Sequence, residues 1–260
     1  IFWRHLEQPL SPDRPGRAAY ALTEPRAVWT YLRLWILPFH QALDADLLLS
    51  SGWKAPPTTL LGALGLLALL LATARATPWV RAGVAIALVA LLPESSFAVL
   101  QDPLQEHRMY LPSAALALAA APFLSDRRHL LAVLAAAGFL LTASMARSWT
   151  SEAGIWQWNL RVAPRKLRVH SNLAQRYRRQ AGTWGVPGLW DAAERTIGRA
   201  IRIRERPEQY RDLAVIAYER GDEAKAMGAL SQAFRLEPAR PDCLALQELF
   251  RARPVLYSAP

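Results

Sequence analysis

Cysteine and metal-ligand patterns are scarce in this chain of 260 residues. Cys243 is the single cysteine, so the chain forms no internal disulfide and a cysteine-rich metal site is not expected. The five histidines are scattered, without the H-x-x-x-H or C-x-x-C spacing of a metal site. An initiator Met and a signal peptide are also missing before Ile1. We therefore predict no metal ligands and expect the chain to be the later part of a longer protein.

Charge is present but unevenly distributed. The chain is 52% hydrophobic and 20% charged, with a net charge of +10 and a pI of about 10.4. From about residue 55 to 146, long Ala, Leu and Val stretches hold few charges, and beyond them Arg becomes frequent. We predict an N-terminal extracytoplasmic loop with an interfacial helix, a transmembrane portion and a water-facing portion, at residues 1–54, 55–147 and 148–260.

Four apolar segments are candidates for membrane spans. A helix that crosses the hydrocarbon needs about 20 residues, with a lower limit of about 17. The candidates are residues 55–74, a segment from about 82 to 93, residues 109–125, and about 130–146. A fifth segment, 27–43, carries Arg33 and His40 and contains Pro38, and its Trp and Tyr residues are typical of the headgroup level. We interpret it as an interfacial or re-entrant helix in preference to a span.

The short loops predict an orientation. The loops richest in arginine hold Arg75 with Arg81, and Arg127 with Arg128. Because such loops face the cytoplasm, the loop 94–108, the N-terminal segment and everything after Arg147 are predicted to lie outside. This orientation corresponds to an integral membrane protein whose water-facing portion lies on the extracytoplasmic side.

The last third of the chain contains helical repeats. Residues 207–240 fit the 34-residue tetratricopeptide pattern, with Gly221 at the turn and Asp222 as the N-cap of the second helix. The expected packing positions are Tyr210, Leu213, Ala214, Ala217, Ala226, Leu230 and Ala233. An earlier unit, about 164–206, fits if GTWGVPG (182–188) is a linker, and a partial unit covers 241–260. We therefore predict an all-α protein: a polytopic helix bundle of about four spans plus an interfacial helix, followed by a tetratricopeptide-repeat α-solenoid.

Three stretches resemble a known family in the family's order. They are YALTEPRAVWTYLRLWILPFHQALDAD (20–46), PESSFAVLQDPLQEHRMYLPS (93–113), and the Ala163–Pro164 to Asn172–Leu173 entry into the repeats. The chain resembles the C-terminal half of the transmembrane and tetratricopeptide-repeat O-mannosyltransferases and their bacterial relatives. The word EHR-x-YLPS carries the most specific part of this resemblance.

The resemblance implies a GT-C-type glycosyltransferase. Such an enzyme takes a sugar from a polyprenyl-phosphate carrier, its donor, and attaches it to an extracytoplasmic protein acceptor, which the repeats would hold. It also implies a catalytic carboxylate in the first outside loop, which we expect upstream of Ile1. The alternative is a non-catalytic membrane anchor that displays the repeats as a scaffold for an envelope or secretion complex.

The charged triplet before the third candidate span holds the candidate site residues. Arg108 offers the planar donor fork that matches phosphate oxygens, His107 a second donor, and Glu106 a carboxylate for Arg108, a hydroxyl or a divalent metal. Tyr110 adds an aromatic ring at the membrane boundary. We predict that these four residues bind the lipid phosphate or substrate, whereas the competing interpretation is that they only mark the end of a span.

Other charged residues are weaker candidates for the site. Glu94 and Asp102 are further candidates, although Pro93 could leave Glu94 in a plain loop. Asp44 and Asp46 could contact metal or sugar, but solvated loop acids are favoured. The Arg-rich segment 161–179 carries no nucleic-acid recognition motif, so nucleic acid is not an expected partner. A solvated basic face is the favoured interpretation, with a headgroup contact as the alternative.

Overall fold

The computed structural model describes residues 16–50, 56–92, 99 and 102–252. Within these residues every regular element is a helix, so the all-α prediction is confirmed. The chain divides into two compact units between Ala146 and Arg147.

The described residues of the first unit form five α-helices. They are α1 (Arg17–Ile36), α2 (Pro57–Ala74), α3 (Pro78–Leu92), α4 (Tyr110–Leu124) and α5 (Arg128–Ala146). A short 3₁₀ turn, Glu106–Met109, leads into α4, and another, Arg147–Thr150, follows α5. Each of the five apolar segments therefore forms a helix.

The lengths of these helices separate them into two classes. Two stretches are long and apolar enough to cross a membrane, Pro57–Ala74 and Arg128–Thr150, with 11% and 0% of their apolar windows buried. Helices α3 and α4 have 15 residues each and fall below the length of a span. The described residues thus contain two helices of spanning length, compared with the four predicted.

Helix α1 begins ten residues before the predicted segment. It runs from Arg17 to Ile36 and contains Pro25. Leu37 leaves the helix with φ −128° and ψ 87°, as expected for a residue before proline, whose ring disfavours helical geometry in its predecessor. Pro38 therefore interrupts the segment 27–43, and its helical part ends at Ile36.

Small residues let α3 and α4 approach closely. A Cβ added to Gly83 would lie 2.6 Å from the Ala115 carbonyl oxygen and 2.7 Å from the Ala119 Cβ. Ala115 and Ala119 are themselves buried. The two helices pack backbone against backbone, and the connection between them carries the charged triplet.

Up to Ala252, where the described part of the second unit ends, the chain forms six amphipathic α-helices. They are α6 (Glu152–Val162), α7 (Leu167–Trp184), α8 (Pro187–Ile203), α9 (Pro207–Arg220), α10 (Glu223–Leu236) and α11 (Pro241–Ala252). Helix α7 packs on α8, and α9 packs on α10. Helix α8 also contacts α9, which joins the two pairs.

The turn between α9 and α10 has the predicted chemistry. Gly221 adopts φ 97°, a left-handed conformation that glycine enters without steric cost. The Asp222 carboxylate accepts a hydrogen bond from the Lys225 N–H at 2.9 Å and caps α10. Both predictions for this turn are confirmed.

The predicted packing positions form the core of this unit. Ala214, Ala217, Ala226, Leu230 and Ala233 are fully buried, and Tyr210 and Leu213 are half-buried against them. A second cluster joins Ala174, Ala193, Ile197 and Ala200 to Ile216 of α9. The cores are built on alanine, so the helix axes can lie close together.

The prediction that residues 182–188 form a linker is wrong. Helix α7 continues through Trp184, and α8 already begins at Pro187, which leaves two residues between the helices. Gly185 provides the sharp exit with φ 62°. A glycine inside a helix costs only about 1 kcal/mol, so Gly182 does not end α7.

Candidate functional site

The candidate site of the first unit is organised by a tyrosine of α1. Tyr31 is 1% exposed, and its hydroxyl accepts from the Gln105 N–H at 2.9 Å and donates to the Gln105 carbonyl at 3.2 Å. Burial raises the pKa of the Tyr31 hydroxyl, so it stays a neutral donor and acceptor. The side chain thereby fixes the loop that precedes the charged triplet.

Arg108 closes the same loop from the other side. Its guanidinium donates to the carbonyls of Pro103 at 3.1 Å and of Asp102 at 3.0 Å. Helix α1 places Tyr20 and the buried Glu24 beside this guanidinium. Burial and the neighbouring Glu24 raise the pKa of Tyr20 to about 12, although Arg108 opposes the shift. Arg108 is thus part of a buried polar cluster with α1, and its predicted binding of phosphate stays a prediction.

Glu106 lies on a different side of the triplet. One carboxylate oxygen accepts from the Ala42 N–H at 2.5 Å, which ties the triplet to the segment after α1. Burial raises the pKa of Glu106, while this backbone bond and the positive charge of Arg33 oppose the rise. The Glu106 carboxyl is therefore more easily protonated than an exposed glutamate.

A cavity of about 150 Å³ opens beside Glu106. It lies between α1, the 3₁₀ turn and the start of α4. Its polar lining comprises Tyr31, Trp35, Gln41, Glu106, Tyr110 and Ser113, and Leu34 and Met109 complete the wall. Aromatic rings, hydroxyls, an amide and a carboxyl together can stack on a small polar molecule and exchange hydrogen bonds with it.

The predicted site residues therefore separate. Glu106 and Tyr110 line the cavity, and Tyr110 is also 82% exposed. His107 is exposed, whereas Arg108 is half-buried in the cluster with α1. Asp102 is buried, and its carbonyl accepts from Arg108. Glu94 lies outside the described residues.

The two aspartates after α1 differ in their exposure to solvent. Asp46 is exposed as expected, but Asp44 is 5% exposed, so the prediction that it is solvated is wrong. The chain after Pro38 folds back on α1, as the Arg26 hydrogen bond to the Leu48 carbonyl at 2.8 Å shows, and this brings Asp44 inside. The described residues contain no group of three or more His, Cys, Asp or Glu placed to hold a metal ion.

The sequence interpretation missed the contribution of α1. Tyr20, Glu24, Ala27, Tyr31 and Leu34 are all buried and recur every three or four residues, which places them on one helix face. That periodicity was readable in the sequence. The partner of this face was not, because Tyr31 and Gln105 are 74 residues apart.

The arginines of α7 have partners within the second unit. Arg176 and Arg179 each form an ion pair with Glu152 at 2.7 Å, and Arg178 pairs with Glu219 of α9. The prediction of a solvated basic face is therefore wrong for Arg176 and Arg178, which are half-buried, whereas Arg179 is exposed as predicted. The three ion pairs connect α7 with α6 and α9. The sequence did not reveal these pairs, because their partners are distant along the chain and meet only in the folded protein.

Comparison with protein-family models, with curated proteins and with solved structures gives no match for this chain. The residues and their geometry are accordingly the basis for a functional assignment.

Proposed function

We propose that this protein is a membrane glycosyltransferase component that binds a polyprenyl-phosphate-linked sugar at the Glu106 cavity and presents it to an extracytoplasmic acceptor. The observation that carries the proposal is the composition of that cavity. Its carboxyl, amide, hydroxyls and aromatic rings are the groups with which proteins bind sugars. The resemblance of EHR-x-YLPS (106–113) to O-mannosyltransferases supports the same substrate class.

The exposure of the apolar helices supports a membrane location. Leu60, Leu61 and Leu64 of α2 are 65%, 66% and 54% exposed, and no residue of α5 is buried. A leucine exposed to water lacks the stabilisation of about 1.5–3 kcal/mol that burial of its side chain contributes. Hydrocarbon removes that cost, so we place α2 and α5 across the bilayer. Helices α3 and α4 form a shorter hairpin within the bilayer, which completes the four predicted apolar elements.

The residues of the triplet then receive separate roles. Glu106 contacts the sugar hydroxyls from inside the cavity. His107 and Tyr110 are exposed at its mouth, where they reach the phosphate of the carrier at the headgroup level. Arg108 holds the loop in shape and adds positive charge behind it.

The paired helices of the second unit support the capture of an acceptor protein. Their packing follows the tetratricopeptide pattern in residues 207–240, and arrays of this kind form a solenoid with a groove for peptides. The same observation favours the alternative function, a membrane-anchored scaffold, if the cavity holds no sugar. The bacterial inner membrane, with the repeats outside, is the location that both functions require.

Binding of the charged carrier tests the proposal. Native mass spectrometry of the full chain in detergent would compare a polyprenyl-phosphate mannose with the same polyprenyl phosphate lacking sugar. We expect tighter binding of the mannose-bearing carrier, and a loss of that preference of about tenfold in Glu106→Gln, since a hydrogen bond to a charged group contributes about 1.5–3 kcal/mol.

Asp46→Asn is the matched control, because it removes one carboxylate from the exposed loop without touching the cavity. Equal binding of the two carriers by the unchanged protein would contradict sugar recognition and favour the scaffold.

A further inference from the structure

A second cavity lies on the other side of α1, where this helix meets α2. It has a volume of about 420 Å³ and is lined by Arg26, Trp29, Thr30, Leu47, Thr58 and Leu61. We call it the α1–α2 groove. Its floor is fixed by the Trp29 indole, which donates to the Gly62 carbonyl of α2 at 2.8 Å. A Cβ on Gly65 would lie 2.9 Å from the same indole ring, so the tryptophan rests directly on the α2 backbone.

The groove contains one cation. The guanidinium of Arg26 is half-buried and donates to the Leu48 carbonyl at 2.8 Å and the Ser50 hydroxyl at 3.3 Å, both of them neutral oxygens. Among the residues that the structure describes, no carboxylate forms an ion pair with it. These bonds hold the guanidinium at the groove without neutralising its positive charge.

The other walls of the groove are apolar and continue along α2. Leu47, Trp29 and Leu61 border it, and Leu61 is 66% exposed. Beyond Leu61, α2 presents Leu64 and Leu67, which are 54% and 53% exposed. A guanidinium that no carboxylate of the described residues pairs with thus adjoins the N-terminal end of a long apolar surface.

We propose that the α1–α2 groove binds an anionic phospholipid of the surrounding bilayer. The lipid phosphate accepts hydrogen bonds from Arg26 and from the Thr58 hydroxyl, and one acyl chain lies along the leucines of α2. The charge of the phosphate complements the cation, and the acyl chain covers a surface that water would not wet. The lipid joins the interfacial helix to a spanning helix, and this role is independent of sugar transfer.

Lipid retention by the full chain tests this site. Native mass spectrometry in detergent would measure binding of phosphatidylglycerol, which is anionic, against phosphatidylcholine, which is zwitterionic. We expect preferential binding of phosphatidylglycerol, and about tenfold weaker binding in Arg26→Gln, because the lipid phosphate loses its charge-assisted hydrogen bond to the guanidinium. Arg17→Gln is the control: it removes the same charge from an exposed position of α1 and should change binding less than twofold.

A second variant leaves the charge intact. Leu61→Trp fills the groove from an exposed position and should weaken phosphatidylglycerol binding to a similar extent, which keeps the test decisive if Arg26→Gln is poorly folded. Unchanged binding in Leu61→Trp, or an equal loss in Arg17→Gln, would overturn the proposal. A dependence on Arg26 that appears only with polyprenyl phosphate, and not with phosphatidylglycerol, would overturn it as well.

Discussion

Leucine behaves oppositely in the two units of this protein. Leu60 and Leu61 of α2 are about two-thirds exposed, at 65% and 66%, whereas Leu230 of α10 is fully buried. The first unit is held by hydrogen bonds to backbone carbonyls and by backbone contact at glycine. The second is held by alanine cores and ion pairs. The difference teaches that one residue type is packed in two ways in this chain: the first unit leaves the leucines of α2 on its surface, whereas the second unit uses Leu230 to close its core.

The ion pairs reinforce this contrast. In the second unit, Arg240 contacts Glu208, Glu237 and Asp242, and Arg211 contacts Asp212 and Asp242. Burial opposes both shifts, but hydrogen bonds from Arg211 and Arg240 lower the pKa of Asp242, and the carboxylates of Asp242 and Glu208 raise the pKa of Arg240. The network joins the starts of α9 and α11, and it suits helices whose outer faces meet water.

The largest expected effect comes from the alanine core. Leu230→Ala removes a fully buried side chain and leaves a cavity, so we expect α9 and α10 to lose about 2–5 kcal/mol of stability. Hydrogen exchange of the α9 and α10 amides in the full chain measures this loss directly.

Leu236→Ala is its control on the same helix, since Leu236 is 39% exposed and its truncation should cost about 0.5 kcal/mol or less. Equal losses in the two variants would mean that the core is not where the structure puts it.

In the first unit, the contact of Gly83 with α4 is the position most sensitive to an added methyl group. Gly83→Ala places a methyl group 2.6 Å from the Ala115 carbonyl oxygen, and we expect overpacking to cost about 1–3 kcal/mol. The thermal midpoint of the detergent-solubilised full chain should fall accordingly, as followed by loss of the monodisperse species in size exclusion.

Gly138→Ala makes the same chemical change on α5, where nothing lies within 4 Å of the added methyl group. Its midpoint should be unchanged or slightly raised, because alanine favours the helix. A fall as large as that of Gly83→Ala would argue against close packing of α3 on α4.

A smaller effect is expected at the cap of α10. Asp222→Ala removes the acceptor of the Lys225 N–H and should cost about 1 kcal/mol, seen as faster hydrogen exchange in the first turn of α10. Asp222→Asn retains a capping oxygen and should exchange nearly as slowly as the unchanged protein. If both variants exchange alike, the hydrogen bond contributes nothing there.

The smallest effect is a dependence on pH at the candidate site. Burial raises the pKa of Glu106 above its ordinary value of 4.5, so the folded site binds a proton more tightly than the unfolded chain. Protonation of Glu106 therefore stabilises the folded site. This stabilisation is fully present below pH 4.5 and is lost as the pH rises through the pKa of Glu106 in the folded protein. Hydrogen exchange of the segment 102–109, corrected for intrinsic rates, should report the loss.

Glu106→Gln holds the side chain permanently neutral and should remove this part of the pH dependence. The same slope in the variant and in the unchanged protein would assign the titration to another group.

The sequence by itself determined that the chain is helical and which residues end or cap several of the helices, but not every helix boundary. Pro38, Gly221 and Asp222 act through local backbone geometry, so their effects were readable without a partner. Apolar periodicity likewise identified Ala214, Leu230 and the other core positions of the second unit, because a helix buries one face at a fixed repeat.

The tertiary structure alone decided the candidate site. Glu106 meets the Ala42 N–H across 64 residues, and Tyr31 meets Gln105 across 74. The three charged residues are adjacent in the sequence, but their side chains lie in different places in the fold. Glu106 lines a cavity, His107 is exposed, and Arg108 donates to the carbonyls of the preceding loop. Contacts between distant segments depend on how several helices pack together, and no local pattern encodes that arrangement.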